Sequence, residues 1–436
     1  MMKVIHGWGR YPCVEATIEL PRTLAHCQDL LQSTSHPLIP RGLGRSYGDS
    51  TLANTVVDTT AFNYLIAFDE QQGTISCGAG ISLDALLQFI VPRGWFLPVT
   101  PGTRYVTVGG AIASDVHGKN HHHAGSFSQY ILSMELLLGN GELLTISSQQ
   151  YTDLFRATCG GMGLTGIILS VQLQLMRVSS SNVVQRTIAC SCLENLVEHI
   201  EMSKDSPYSV AWIDCLAKGA KLGRGILTLG EHAEDGLFHV PSSRALSIPM
   251  VMPNYLLHPL SIRLFNQYYY HKARGARCQK KMAYQPFFYP LDSLQDWNRL
   301  YGRQGFLQYQ FILPKAAGIE GLKSILSTIA SSGKGSFLAV LKLLGKANAN
   351  FLSFPQEGYT LALDFKYSPA VLTLLSELDK MVIAYKGRIY LTKDARMDAE
   401  VFQQCYPNWQ AFEEVRRRYH ATGIFGSYQS KRLGLS

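Results

Sequence analysis

The sequence predicts a two-domain α+β protein with antiparallel sheet dominating the second domain. Two observations carry that prediction. The chain has 436 residues, above the size at which a single hydrophobic core usually divides. Its texture also changes near residue 181. Short β-runs between glycine-rich turns give way to longer aromatic-rich strands alternating with amphipathic helices. With 46% hydrophobic and 17% charged residues the chain is too apolar for disorder, and its 38 glycines follow no collagen-like period.

Taken in order, Thr55–Asp58, Gly73–Cys77 and Ile167–Leu175 read as strands of the first half. Leu83, Leu86, Leu87 and Ile90 recur at helical spacing, so Ser82–Val91 reads as a helix with Ser82 and Asp84 as its start signals. In the second half, Gly305–Leu313 and Tyr359–Phe365 read as strands, and Ile319–Ile329 and Pro369–Ala384 as amphipathic helices. Residues 399–435 are mostly helical and charged, and no internal repeat interrupts the chain.

Nine scattered cysteines without a CxxC pair argue against a disulfide framework and fit a reducing, cytoplasmic compartment. Met1 to Pro12 lacks the apolar core of a secretory signal. The uncharged stretch Ala245 to Ile262 is broken by Pro249, Pro253 and Pro259, which argues against a spanning helix.

Four glycine-rich segments carry the chemistry. The first is Arg41-Gly42-Leu43-Gly44-Arg45-Ser46-Tyr47-Gly48-Asp49. The second is Pro101-Gly102-Thr103, leading to Thr107-Val108-Gly109-Gly110-Ala111. The third is Asp115-Val116-His117-Gly118-Lys119-Asn120-His121-His122-His123, and the fourth is Gly160-Gly161-Met162-Gly163-Leu164-Thr165-Gly166. Glycine lets backbone N–H groups approach an anion and tolerates positive φ, so several such loops together can cradle a pyrophosphate. None matches the Rossmann fingerprint or a P-loop. For any loop taken singly, a tight turn is the plain alternative.

These segments resemble the FAD-binding domain of the vanillyl-alcohol oxidase / para-cresol methylhydroxylase (PCMH) superfamily. The same segments, with Gly125-Ser126-Phe127, narrow the resemblance to the decaprenylphosphoryl-β-D-ribose 2′-oxidase family. It continues beyond the first half through Lys221-Leu222-Gly223-Arg224, Gly305 to Phe311, Leu352-Ser353-Phe354-Pro355 and Tyr390-Leu391-Thr392-Lys393-Asp394, so the likeness covers nearly the whole chain. It implies a two-domain FAD-binding PCMH-type fold, with an FAD-binding domain at 1–180 and an antiparallel-sheet substrate domain at 181–387. Residues 388–436 would return to the FAD domain. The implied reaction is oxidation of the C2′ hydroxyl of a polyprenylphosphoryl-β-D-ribose to the 2′-keto sugar. Hydride would pass to flavin N5 while a base, not identified by the sequence, takes the proton. A short-chain-dehydrogenase partner would reduce the ketone to the arabinose epimer. Two alternatives stay open: an aldonolactone or sugar-alcohol oxidase acting on a soluble sugar, and a non-catalytic lipid-phosphate-binding protein.

Position by position, the resemblance implies that Arg41 to Asp49, including Gly42, Leu43, Gly44, Arg45, Ser46, Tyr47 and Gly48, form the first pyrophosphate loop. Gly102, Thr107, Val108, Gly109 and Gly110 would form the second. Ser114, Asp115, Val116 and His117 would line the isoalloxazine, Ile168 the adenine side, and Tyr390 would reach the ring from the C-terminal segment. Lys393 would stand near the flavin N1–C2 carbonyl, where a cation stabilises charge on the reduced ring. Gln310 and Lys342 would face the substrate. Arg45 stands where covalent relatives often carry a His, so non-covalent FAD is expected. Two departures concern the pocket: Phe288 replaces a Tyr of the actinobacterial members, and Ala362 replaces a Cys facing the flavin.

The residues themselves support part of this assignment. His117, His121, His122 and His123 lie close together, but no Asp, Glu or Cys pattern completes a tetrahedral set, so no metal is expected. Lys342 and Lys393 sit in or beside apolar runs, where an unpartnered cation is costly unless it has a function. Gln308 and Gln310 alternate with Tyr309 and Phe311, so they share one strand face. Amides there suit sugar hydroxyls; core-bonded amides are the alternative.

The net charge of +8 is concentrated. Residues 236–291 contain no acid and hold Arg244, Arg263, Lys272, Arg274, Arg277, Lys280 and Lys281, together with Leu256, Leu257, Leu260, Leu264, Phe265, Tyr268, Tyr269 and Tyr270. That mixture suits peripheral contact with the inner face of an anionic membrane. An ordinary insertion packed on the second domain is the alternative. No reader motif accompanies the charge, which argues against nucleic acid.

Overall fold

The computed structural model describes residues 2–241, 246–253, 258–274 and 279–435. The first half builds two larger sheets and a two-stranded one that pairs Trp95–Phe96 with Met176–Arg177. One orders the strands Met2–His6, Cys13–Glu19, Thr55–Asp58 and Leu38–Arg41. The other orders Leu65–Asp69, Thr74–Gly78, Ile167–Gln174, Ile131–Leu137 and Leu143–Ile146, all antiparallel. The expected helix runs Leu83–Ile90 and buries Leu83, Leu86, Leu87 and Ile90, the four residues that predicted it. Ser82 caps it by accepting from the Ala85 N–H at 3.1 Å.

The second half builds one eight-stranded sheet. Its order is Gln279–Ala283, Asn182–Cys190, Gly225–His232, Tyr208–Ile213, Ala339–Leu344, Gly358–Lys366, Phe306–Pro314 and Arg388–Ile389. Every pairing in it is antiparallel. Helices Gly318–Ser332 and Pro369–Ala384 bury Leu322, Ile325, Leu326 and Ile329, and Val371, Leu374, Leu375 and Leu378, respectively. The predicted strand ends differ by about one residue, within the usual fraying of strand termini.

The C-terminal chain closes back on the first half. Leu38 donates to Ile424 O at 2.9 Å, and Gly426 donates to Leu38 O at 3.0 Å. Arg416, fully buried, pairs with Glu413 and donates to the carbonyls of Leu164 and Phe425 at 2.9 and 2.8 Å. Arg432 clamps Asp49 of the first glycine loop, at 2.7 Å, to Asp394, at 2.9 Å. These contacts bring the Tyr390–Asp394 segment against the glycine loops.

The basic insertion is integrated rather than free. Helix Pro259–Arg274 buries Ile262, Asn266 and Tyr270, and Gln279–Ala283 becomes the edge strand of the large sheet. Arg244, Leu256, Leu257 and Arg277 lie outside the described residues. Among the described residues, no helix is long and apolar enough to cross a membrane.

Candidate active site

Strand register builds one wall of the site. Gln308 lies opposite Asp364, Gln310 opposite Ala362, and Lys342 and Val340 opposite Thr360 and Ala362. Side chains alternate along a strand and align across it, so all of these share one face. Gln308 Nε2 donates to Asp364 at 2.6 Å. The Gln310 amide donates to Thr360 Oγ1 at 3.2 Å and lies 3.2 Å from His117 Nε2. Ala362 is at the centre of this face, between Gln310 and Val340.

The opposite side comes from the third glycine segment. His117 is buried, with its ring 5.8 Å from Phe354 and 5.7 Å from Tyr390. Burial, then nearby Lys342, holds its pKa well below the ordinary value, so the ring is neutral. Tyr390 donates its hydroxyl to Ser114 O at 2.9 Å, and its N–H donates to Gln310 O at 2.9 Å. The segment Ser114 to His117, expected to line the isoalloxazine, uses its side chains in different ways. Val116 packs in the core, and the Asp115 carboxylate is fully used elsewhere. It accepts from Ser126, Ser128, Asn348, Asn350 and Ser353. His117 turns its side chain toward the wall, and Ser114 offers its carbonyl to Tyr390.

Three lysines converge here. Lys393 stands over the Tyr47 ring at 4.0 Å, which links it to the first glycine loop. Burial lowers its pKa to about 7, opposed by Asp364. Burial also lowers Lys342 to about 8, and Lys119, which feels Lys342, to about 7. Lys119 donates to the carbonyls of Phe287 and Phe288. None of the three forms an ion pair with a described carboxylate. Asp364 is pushed up to about 7 by burial, opposed by Gln308 and Lys393.

The residues present fit a pyrophosphate-bearing cofactor. Gly42 and Thr107 bring the first two glycine loops into contact, since a Cβ on Gly42 would lie 2.2 Å from Thr107 Oγ1. Within the first loop, the N–H groups of Gly42, Leu43, Gly44, Arg45 and Ser46 donate to no described protein atom. Gly102 and Gly110 are exposed, and Gly102 has open space where a Cβ would stand. Unpaired N–H groups on glycine backbone are what an anion cradle requires. Gly48 packs on Asp394 O, and Tyr47 N–H donates to Thr392 O at 2.9 Å, so the loop is braced by the C-terminal segment.

The remaining expected residues are placed as follows. The Arg41 guanidinium donates to His6 O at 2.8 Å, and that of Arg45 lies 4.0 Å from the Trp8 ring centre. Val108, Gly109 and Thr107 open the helix Val108–Ala113, and Ile168 is buried opposite Leu136 in the first-half core. Phe288 is buried against Phe96 and Tyr208 beside Lys119. Among the described residues no group of His, Cys, Asp and Glu is arranged to hold a metal. His121 accepts from Gly345 N–H, and His122 bonds Ser206 O.

Sequence reasoning left out Lys119, Thr360 and Asp364. Asp364 carried the same signal as Lys342, a charge inside an apolar strand. Lys119 lay within a quoted motif, but its backbone partners are about 170 residues distant.

The FAD binding domain family matches residues 16–147. Fold and site therefore define an FAD-dependent oxidoreductase. Over 99% of its length the chain is 37% identical to decaprenylphosphoryl-beta-D-ribose oxidase of Mycolicibacterium smegmatis, covering 98% of that protein. The chain belongs to the decaprenylphosphoryl-β-D-ribose oxidase family. Its similarity to a putative D-arabinono-1,4-lactone oxidase of Neurospora crassa, at 30% identity, spans only 35% of this chain and 28% of that protein. Mitochondrial D-2-hydroxyglutarate dehydrogenase of Bos taurus matches at 26% over 35% of the chain and 30% of that protein.

Proposed function

We propose that the protein oxidises the C2′ hydroxyl of a polyprenylphosphoryl-β-D-ribose to the 2′-keto sugar, using non-covalently held FAD. The observation that carries this reading is the wall itself. Gln308, Gln310 and Thr360 share one face beside three lysines, none of which forms an ion pair among the described residues. Amides and hydroxyls recognise sugar hydroxyls, and the excess cations balance a phosphodiester. FAD, when bound, supplies the hydride acceptor. The unpaired N–H groups of residues 42–46 would hold its pyrophosphate, and Tyr390 and His117 would face its ring.

The chain's own part is orientation and proton handling. The Gln310 amide links His117 of the glycine segment to Thr360 of the sheet. Lys393, braced on Tyr47, supplies positive charge where the reduced cofactor gains negative charge. Burial pushes Asp364 up to about 7, opposed by Gln308 and Lys393, which suits it to exchange a proton with a substrate hydroxyl. The ketone then passes to a short-chain-dehydrogenase reductase, with the pair acting peripherally at the cytoplasmic membrane face.

Two measurements test this. Mixed anaerobically, a prenylphosphoryl ribose should bleach the flavin absorbance; bleaching by soluble lactones or alditols alone rejects the lipid-linked substrate. Acid precipitation should leave FAD in the supernatant, since Arg45 occupies the position of a covalent His; colour in the pellet rejects non-covalent binding.

A further inference from the structure

We infer that the outer face of helix Pro259–Arg274, with the cationic cleft beside it, docks the protein onto a bilayer containing anionic phospholipid, a lipid phosphate sitting in the cleft. This surface is separate from the lysine wall. It deepens the proposed reading by giving the membrane contact an address.

The helix has two opposed sides. Ile262, Asn266 and Tyr270, each four residues apart, are buried against the second domain. Helical geometry places Leu260, Leu264 and Tyr268 on the opposite side. They are 61%, 63% and 62% exposed. Phe265 and Tyr269 stack at 5.8 Å and bridge this row to Trp212 and Phe337, so the apolar surface is continuous with the domain rather than a loose arm. An outward apolar row of this length is what a soluble surface ordinarily avoids.

Charge says what covers it. The flanking row of the helix presents Arg263 and Gln267 to a cleft of about 220 Å³, shared with Asp214, Lys218, Lys221 and Arg224. Asp214 is already satisfied: it accepts from Arg224 at 3.0 and 2.7 Å, from Asn266 at 2.9 Å and from Leu216 N–H at 3.2 Å. That pair cancels. Lys218, Lys221 and Arg263 remain exposed, and none forms an ion pair among the described residues. Lys272 and Arg274 add positive charge in the last helical turn. A cleft holding three uncompensated cations suits a phosphate, and the adjoining apolar row suits acyl chains. A free phosphate would have no use for that row. A helix lying in the interface, apolar side down and cations at headgroup level, satisfies both.

Co-sedimentation of the FAD-loaded protein with phosphatidylcholine vesicles, with and without phosphatidylglycerol, tests the inference. Binding should require phosphatidylglycerol and weaken with salt. The double change Lys218→Glu and Lys221→Glu should lower partitioning by about tenfold or more. Leu260→Ser with Leu264→Ser should lower it as well, with flavin content and melting temperature unchanged. Equal binding to neutral vesicles, no binding, or variants that bind as well as the parent would overturn the inference. So would concentration-dependent self-association, in sedimentation velocity, that the serine variant abolishes, since a second copy would then cover the face. Substrate is absent from this assay, and flavin reduction can be followed in detergent, so failure here is distinguishable from failure of the proposed reaction.

Discussion

Lys393→Met is expected to slow anaerobic flavin reduction by roughly 100- to 1,000-fold, the usual effect of removing one preorganised charge from a reacting centre. Its Nζ stands over Tyr47, and Tyr47 belongs to the loop whose backbone N–H groups lack protein partners. Cation and cradle are therefore one unit. The ammonium form is the useful one. With the pKa lowered to about 7, that form predominates below pH 7 and is lost as pH rises through it, so the reduction rate should fall on the alkaline side of about 7. Lys393→Arg keeps its charge throughout and should abolish that alkaline fall while retaining part of the rate. An alkaline limb unchanged in the arginine variant would assign the titration to another group. Stability should move the other way. The fold depresses this pKa from 10.5, so charging Lys393 costs stability as pH falls from about 10.5 to about 7, and the cost is complete below 7. The apoprotein of the Lys393→Met variant should melt higher than the parent at pH 6, with the gap closing toward pH 10.

Much of this site was legible in advance because its signals are local. Glycine loops announce unusual backbone approach, and Gln308 with Gln310 announces a shared strand face by spacing alone. A lysine in an apolar run is conspicuous for its cost. The use of Asp115 was not legible, although its motif was. Its partners Asn348, Asn350 and Ser353 are more than 230 residues away, and nothing in their composition marks them as donors to one carboxylate. Lys119 escaped for the same reason, since backbone carbonyls carry no side-chain identity. The basic insertion was legible as charge and apolarity, but not as an integrated element. Its buried line Ile262, Asn266, Tyr270 contains an amide and a phenol, which obscures the helical pattern.

Asp115→Ala should be the most damaging substitution for the fold. The side chain is fully buried, on a residue with φ of 38°, a conformation few non-glycine residues adopt. One carboxylate oxygen accepts from Ser126 Oγ at 3.1 Å, Asn348 Nδ2 at 2.6 Å, Asn350 Nδ2 at 3.0 Å and Ser353 Oγ at 2.5 Å. The other accepts from Ser128 N–H at 3.1 Å. Two of these donors belong to the first half, and three lie in the segment that ends at Phe354. Removing the acceptor strands buried donors on both sides, which costs about 3–5 kcal/mol. It also frees the segment that seats Phe354 against His117 and Tyr390, whose rings lie 5.8 and 4.5 Å from it. The denaturation midpoint in guanidinium and the flavin-to-protein ratio should therefore fall together. Asp115→Asn supplies one acceptor oxygen and sets an NH₂ group against a donor, so it should recover only part of the midpoint. An alanine variant with the parent's midpoint and flavin content would show that the two halves are held by their sheets and C-terminal clamp alone. The Arg432 bridge between Asp49 and Asp394 would then be the next place to look for the junction.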